Sequence, residues 1–261
     1  MNLKELKKEY RFSGQDHLHQ ILIGDVWKNL TGITTILSVL AKPALIQWAA
    51  NEVVRHIQEN AEREKLPVPK DEKETLGNYL VNDLLLEEAR TAHTKKKEKA
   101  GDWGTKTHQE IEMLIQEAIS KNGEIIKREV VEKPIQNFID WAVKNKVKFL
   151  ASEKNIWSEK LWLGGIVDFI CEIDGQVWIG DIKTSKSGIH SENFWQCAGY
   201  HLLLKDMGLY PKIKGYLILN LKKSGEMLEK RSVSNRDNIK AFKSCLTIYR
   251  IKEKVNNQII K

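Results

Sequence analysis

Two runs rich in apolar, β-branched and aromatic residues, 161–173 and 176–183, meet at Asp174-Gly175, and no other stretch restricts the fold so strongly. Asp-Gly readily supplies the two left-handed residues of a tight hairpin turn, so the segment is expected as two antiparallel strands side by side. Side chains alternate between the faces of a strand. Asp181 and Lys183 then share one face while Ile182 takes the other, and counting back from the turn places Asp168 roughly across from Asp181. Two carboxylates and an ammonium converge inside strands that are otherwise apolar, with Ile166, Phe169, Ile170, Val177, Trp178 and Ile179 around them. Charge in such surroundings is costly unless paired or metal-bound. A hard divalent cation held by carboxylate oxygens resolves that cost. The competing reading is an Asp/Lys ladder on an exposed sheet face.

Before this hairpin the pattern is helical. Apolar positions recur every three to four residues over 34–40 and 44–58, with Pro43 where the second helix would begin. A polar break around Pro67 and Pro69 precedes a helix expected over 75–92, with a stripe through Leu80, Leu84 and Leu85. A basic loop carrying Lys95, Lys96, Lys97 and Lys99 follows, then Trp103. Ile111, Leu114, Ile115 and Ala118 mark a helix over 106–120, stopped by Asn122-Gly123, and Pro134 opens another expected to reach residue 150. A short strand is expected over 153–157, a helix over 192–207, strands over 213–220 and 228–233, and a terminal helix from Arg236. The order β-β-β-α-β makes the fold class α/β (α+β), a central mixed sheet flanked by helices. A helical N-terminal section, 1–100, is expected to pack on a core, 101–261, as one catalytic unit.

Composition narrows the function. A hydrophobic share of 41% against 30% charged residues describes a globular chain rather than a disordered one. The net charge of +7, from 42 basic and 35 acidic residues, favours an anionic partner without proving one. Cys171, Cys197 and Cys245 are too few for a disulfide framework, a zinc knuckle or an iron–sulfur cluster held by four thiolates. No apolar run approaches the roughly 20 residues that span a bilayer, and the amino terminus has no signal-like apolar stretch. A cytoplasmic protein, not secreted and with no membrane partner, is expected.

Two weaker features point to the same place. Gln196 and Tyr200 stand four apart on the expected helix after the hairpin, sharing a face, and His108 follows Gly104 by four near the start of another. Taken singly, each is an ordinary helical residue. In order, Gly104-x-x-x-His108, Gly165-Ile-Val-Asp168, Asp181-Ile-Lys183-Thr184 and Gln196-x-x-x-Tyr200 resemble the RecB-like branch of the PD-(D/E)XK nucleases. The stretches ITTILSVLAKPALIQWAANE and YLILNLKKSGE are similar to parts of the mitochondrial genome maintenance exonuclease and its phage and bacterial relatives.

The resemblance implies a restriction-endonuclease-like core. It implies Mg²⁺ or Mn²⁺ held by Asp168, Asp181, His108 and the backbone carbonyl of Ile182, with Lys183 orienting the attacking water. Glu153 matches a glutamate often found upstream of the GxxD strand, with Glu159 as competitor. Gln196 and Tyr200 would steady the scissile backbone or the lysine, and Lys95, Lys96, Lys97 and Trp103 would line a passage for the strand. Branch members with an iron–sulfur cluster need four cysteines around the core, so no cluster is expected. The implied activity is a metal-dependent exonuclease on single-stranded DNA in a bacterial or phage-infected cell, with replication or recombination proteins as further partners. An endonuclease of the same superfamily, a non-catalytic nucleic-acid-binding relative and a structural partner-binding protein stay open as alternatives.

Overall fold

A computed structural model describes residues 9–14, 16, 18–60, 62–63, 79–80 and 83–258. In chain order they form β1 (Tyr10–Ser13), β2 (Leu18–Ile23), β3 (Val26–Gly32), α1 (Ile33–Leu37), α2 (Pro43–Asn60), β4 (Glu62–Arg63), β5 (Tyr79–Leu80) and α3 (Asp83–Lys121). There follow α4 (Lys133–Lys144), β6 (Lys148–Ser158), β7 (Leu163–Ile173), β8 (Gln176–Lys183), α5 (Ser191–Asp206), β9 (Ile213–Leu221), β10 (Met227–Ser232) and α6 (Asn235–Asn256). The chain divides into a larger unit, residues 1–40 with 106–261, and a smaller one, residues 41–105.

The fold is α/β. Among the described residues the larger unit is built on an eight-stranded mixed sheet, β1-β2-β3-β7-β8-β9-β10, with β6 also paired to β7. The β7/β8 hairpin closes at Ile173↔Gln176 through Asp174 and Gly175, whose φ angles of 52° and 70° are the left-handed pair that the dipeptide favours. Pairing of β8 with β9 is parallel, so α5 serves as the crossover between them. Both sheet faces are covered. Tyr216 and Ile218 pack with α1, α5 and α6 on one face, and Leu217, Leu219 and Leu221 pack with α3 and α4 on the other. A strand buried on both faces reads as a continuous apolar run, as YLIL does.

The first section departs from the helical expectation, since β1, β2 and β3 form a meander that joins the sheet through β3 and β7. Polarity there does not follow burial: His19 is buried while Leu18 and Val26 are exposed, which hid the alternation. The turn between β2 and β3 uses Gly24 at φ 61°. Helix α4 ends before residue 150 because Lys146 adopts φ 48° and the Val147 N–H returns to the Ala142 carbonyl at 2.9 Å. That stop is usually made by glycine, so a lysine gave no signal for it.

In the smaller unit, the tract expected as a basic loop is helical and continuous with α3 through Gly101 and Gly104. Each glycine costs about 1 kcal/mol relative to alanine inside a helix, which is why the tract read as a break. The expected break around Pro67 and Pro69 and the first turns of the helix expected from residue 75 lie outside the described residues. Leu80, expected in that helix, instead pairs with Glu62 in a two-stranded ladder. Among the described residues no helix is long and apolar enough to cross a membrane.

Candidate functional site

The site sits where the sheet forks. Leu163 and Gly164 of β7 pair with Ser158 and Trp157 of β6 and also with Thr31 and Gly32 of β3. Phe169 pairs with Ser152 of β6 and with Gly180 of β8. A strand has two edges, so with β6 along one, β3 and β8 must share the other. Asp168 lies at the crotch of that fork. One further step of the β7/β8 register puts it opposite Asp181, and its Oδ2 accepts the Ile182 N–H at 2.7 Å.

Alternation breaks at the same point. Val167 and Phe169 are two apart and should share a face, yet they pack into opposite core clusters. Across the ladder, Glu153 stands between Ser152 and Lys154, which pair with Phe169 and Val167, and it holds a left-handed φ of 41°. That conformation costs a residue with a side chain roughly 1–2 kcal/mol, and such strain clusters at functional sites. Next to the distortion, one ligand-capable atom each of His108, Glu153 and Asp168 lies within 4.8 Å of the others. His108 Nδ1 is 3.8 Å from Asp168 Oδ2.

Asp181 is fully buried. Its Oδ1 accepts from Lys183 Nζ and from Gln196 Nε2, each at 3.0 Å. Its Oδ2 is 2.8 Å from the same Nζ yet outside hydrogen-bonding geometry, and it has no hydrogen-bond partner among the described residues. Gln196 Oε1 accepts from Lys183 at 3.1 Å, and Gln196 Nε2 donates to the Tyr200 hydroxyl at 2.7 Å. A closed network therefore fixes the lysine head.

The electrostatics call for positive charge. Burial, then the neighbouring Asp168, Glu112 and Asp181, pushes the Glu153 carboxyl up to about 8. Burial also raises Asp181; Lys183 opposes that rise and Asp168 adds to it. For Lys183, burial works against the ammonium, but Asp181 and Asp168 outweigh it and the net shift is upward. Acids that resist ionisation around an unsatisfied buried oxygen suit a divalent cation, and carboxylates with one imidazole are groups that could hold one.

The residues singled out from sequence fall into two places. Asp168, Asp181, Lys183, Glu153, His108, Gln196 and Tyr200 meet in the larger unit, and Asp181 stands beside the His108, Glu153 and Asp168 group rather than within it. Ile182 is held by its N–H, with its side chain in the opposite core. Glu159 lies in the turn after β6. Lys95, Lys96, Lys97 and Trp103 belong to the smaller unit, where Lys95 and Lys97 are exposed and Lys96 forms an ion pair with Glu52 at 2.8 Å.

Two residues escaped the sequence reading. Glu112 follows His108 by one helical turn, a spacing that was visible in the sequence. Asn220 is fully buried in register with Lys183, with Nδ2 on the Ser185 carbonyl at 2.9 Å and Oδ1 lacking a hydrogen-bond partner among the described residues. Its relation to Lys183 exists only through β8/β9 pairing, so no local pattern marks it. Compared with known proteins, the chain matches no family model and no curated protein.

Proposed function

We propose that the protein is a divalent-metal-dependent deoxyribonuclease acting as an exonuclease on single-stranded DNA, a member of the RecB-like branch of the PD-(D/E)XK nucleases. The observation that carries the reading is a lysine fixed against a fully buried aspartate, beside the group formed by His108, Asp168 and the strained Glu153. The ordered motifs that bear these residues support it. An endonuclease of the same superfamily is the second reading, since the same group would serve either mode. Cytoplasmic DNA repair or recombination, alongside proteins of those processes, is the setting we infer.

Asp168, Glu153 and His108, with Asp181 beside them, would hold the ion. When bound, Mg²⁺ or Mn²⁺ supplies Lewis acidity at the phosphoryl oxygen and lowers the pKa of a water. Asp181 and Asp168 keep Lys183 protonated. Two of its N–H groups go to Asp181 and Gln196, leaving a third for the attacking water or a phosphate oxygen. Gln196, held by Tyr200, stops the ammonium from swinging away.

The test is cleavage of labelled linear single strands in Mg²⁺. Digestion is expected, is stopped by chelator, and falls at least about a hundredfold in Lys183→Ala. Undiminished cutting by that variant would sink the assignment. Closed circular single strands are expected to survive, and efficient cutting of circles moves the reading to an endonuclease.

A further inference from the structure

Next to the metal centre the fork opens a recess of ≈ 210 Å³ that the hydrolytic chemistry leaves unused. Phe12 of β1, His19 of β2, Thr34 and Thr35 of α1, Ile166 of β7 and Tyr200 of α5 line it. The paired glycines of β7 make room for two of these rings. A Cβ on Gly164 would lie 2.6 Å from His19, and one on Gly165 would lie 2.8 Å from Tyr200.

The lining has a definite chemistry. The Phe12 and His19 rings pack on each other at 4.8 Å with a 34° tilt and give the recess an aromatic side, while Thr34 and Thr35 are exposed and offer hydroxyls at its rim. The volume lies below the roughly 300–1,000 Å³ of sites for drug-sized molecules, so it suits one flat ring system with polar edges. Its position is set by β7: Gly165 precedes Asp168 by three residues, about 10 Å at the rise of a strand. Tyr200 belongs to both places, since it lines the recess and accepts the Gln196 hydrogen bond.

We propose that this recess receives the base of a nucleotide adjoining the scissile phosphate. The proposal rests on the nuclease reading and adds a source of strand selectivity to it. A base must leave its stack to enter, which is cheap in a single strand and costly in a duplex. Stacking on an aromatic ring tolerates any base, so the recess would select strandedness rather than sequence.

The experiment walks one abasic residue along a labelled single-stranded oligonucleotide. Binding is read by fluorescence anisotropy with Ca²⁺ in place of Mg²⁺. Loss of the base at one position, next to the bond cut in Mg²⁺, is expected to weaken binding about tenfold. In Phe12→Ala and Phe12→Leu that position is expected to stand out no longer. A flat walk on the unmodified protein overturns the proposal, as does a weak position that persists undiminished in both variants. Failure of the nuclease reading registers separately, as absence of cleavage in Mg²⁺, while the anisotropy walk still gives its own answer.

Discussion

Glu153 concentrates the cost of the site in one residue, with a strained backbone and a carboxyl that resists ionisation among three other acids. The consequence for stability has a definite sign. A carboxyl raised from its ordinary value to about 8 binds its proton more tightly in the folded state. Metal-free protein therefore loses stability as pH rises from the unfolded value near 4.5 through about 8, by on the order of a few kcal/mol. Glu153→Gln removes that loss. In chelator, its melting temperature is expected to climb relative to the unmodified protein between pH 5 and 8.5, and parallel curves would contradict the account. Asp181 and Lys183 were legible in sequence because a two-residue spacing on a strand guarantees a shared face. Glu153 was not separable from Glu159, because its place depends on a ladder whose register shifts between Phe149 and Ala151.

At the scale of elements, the β7/β8 hairpin was readable to within two residues, since its turn chemistry and apolar flanks agree. The fork was not. It depends on β3 pairing in parallel with the start of β7, a contact between segments far apart in the chain, and on a meander whose buried histidine looks polar. The hairpin also depends on a glycine that carries no local signal. Gly180 faces the Phe169 ring so closely that an added Cβ would lie 2.0 Å from two of its atoms. Phe169 cannot easily retreat, because Trp141 and Phe149 hold it edge-on. Gly180→Ala should thus destabilise the protein by roughly 1–3 kcal/mol through overpacking. An earlier midpoint in urea at unchanged slope is the expected result; an unchanged midpoint would mean that the core there is looser than the contacts require.

Over the whole molecule, pattern and composition identified an α/β chain with a central mixed sheet, but not how the amino-terminal section enters that sheet. The modest positive charge has a similar standing. It is compatible with an anionic substrate, although Lys96 is already engaged by Glu52 and only Lys95 and Lys97 of the trio are exposed. His108, Glu153 and Asp168 gather at the fork beside Asp181, and the proposed nuclease chemistry requires that they gather around a cation. Calorimetric titration of Mn²⁺ into metal-free protein near pH 7, repeated in buffers of different ionisation heat, tests this directly. Binding is expected to release protons, because Glu153 must give up its proton, and both are expected to be lost in Asp168→Ala. Absence of Mn²⁺ binding, or binding unchanged in Asp168→Ala, would contradict the proposed chemistry.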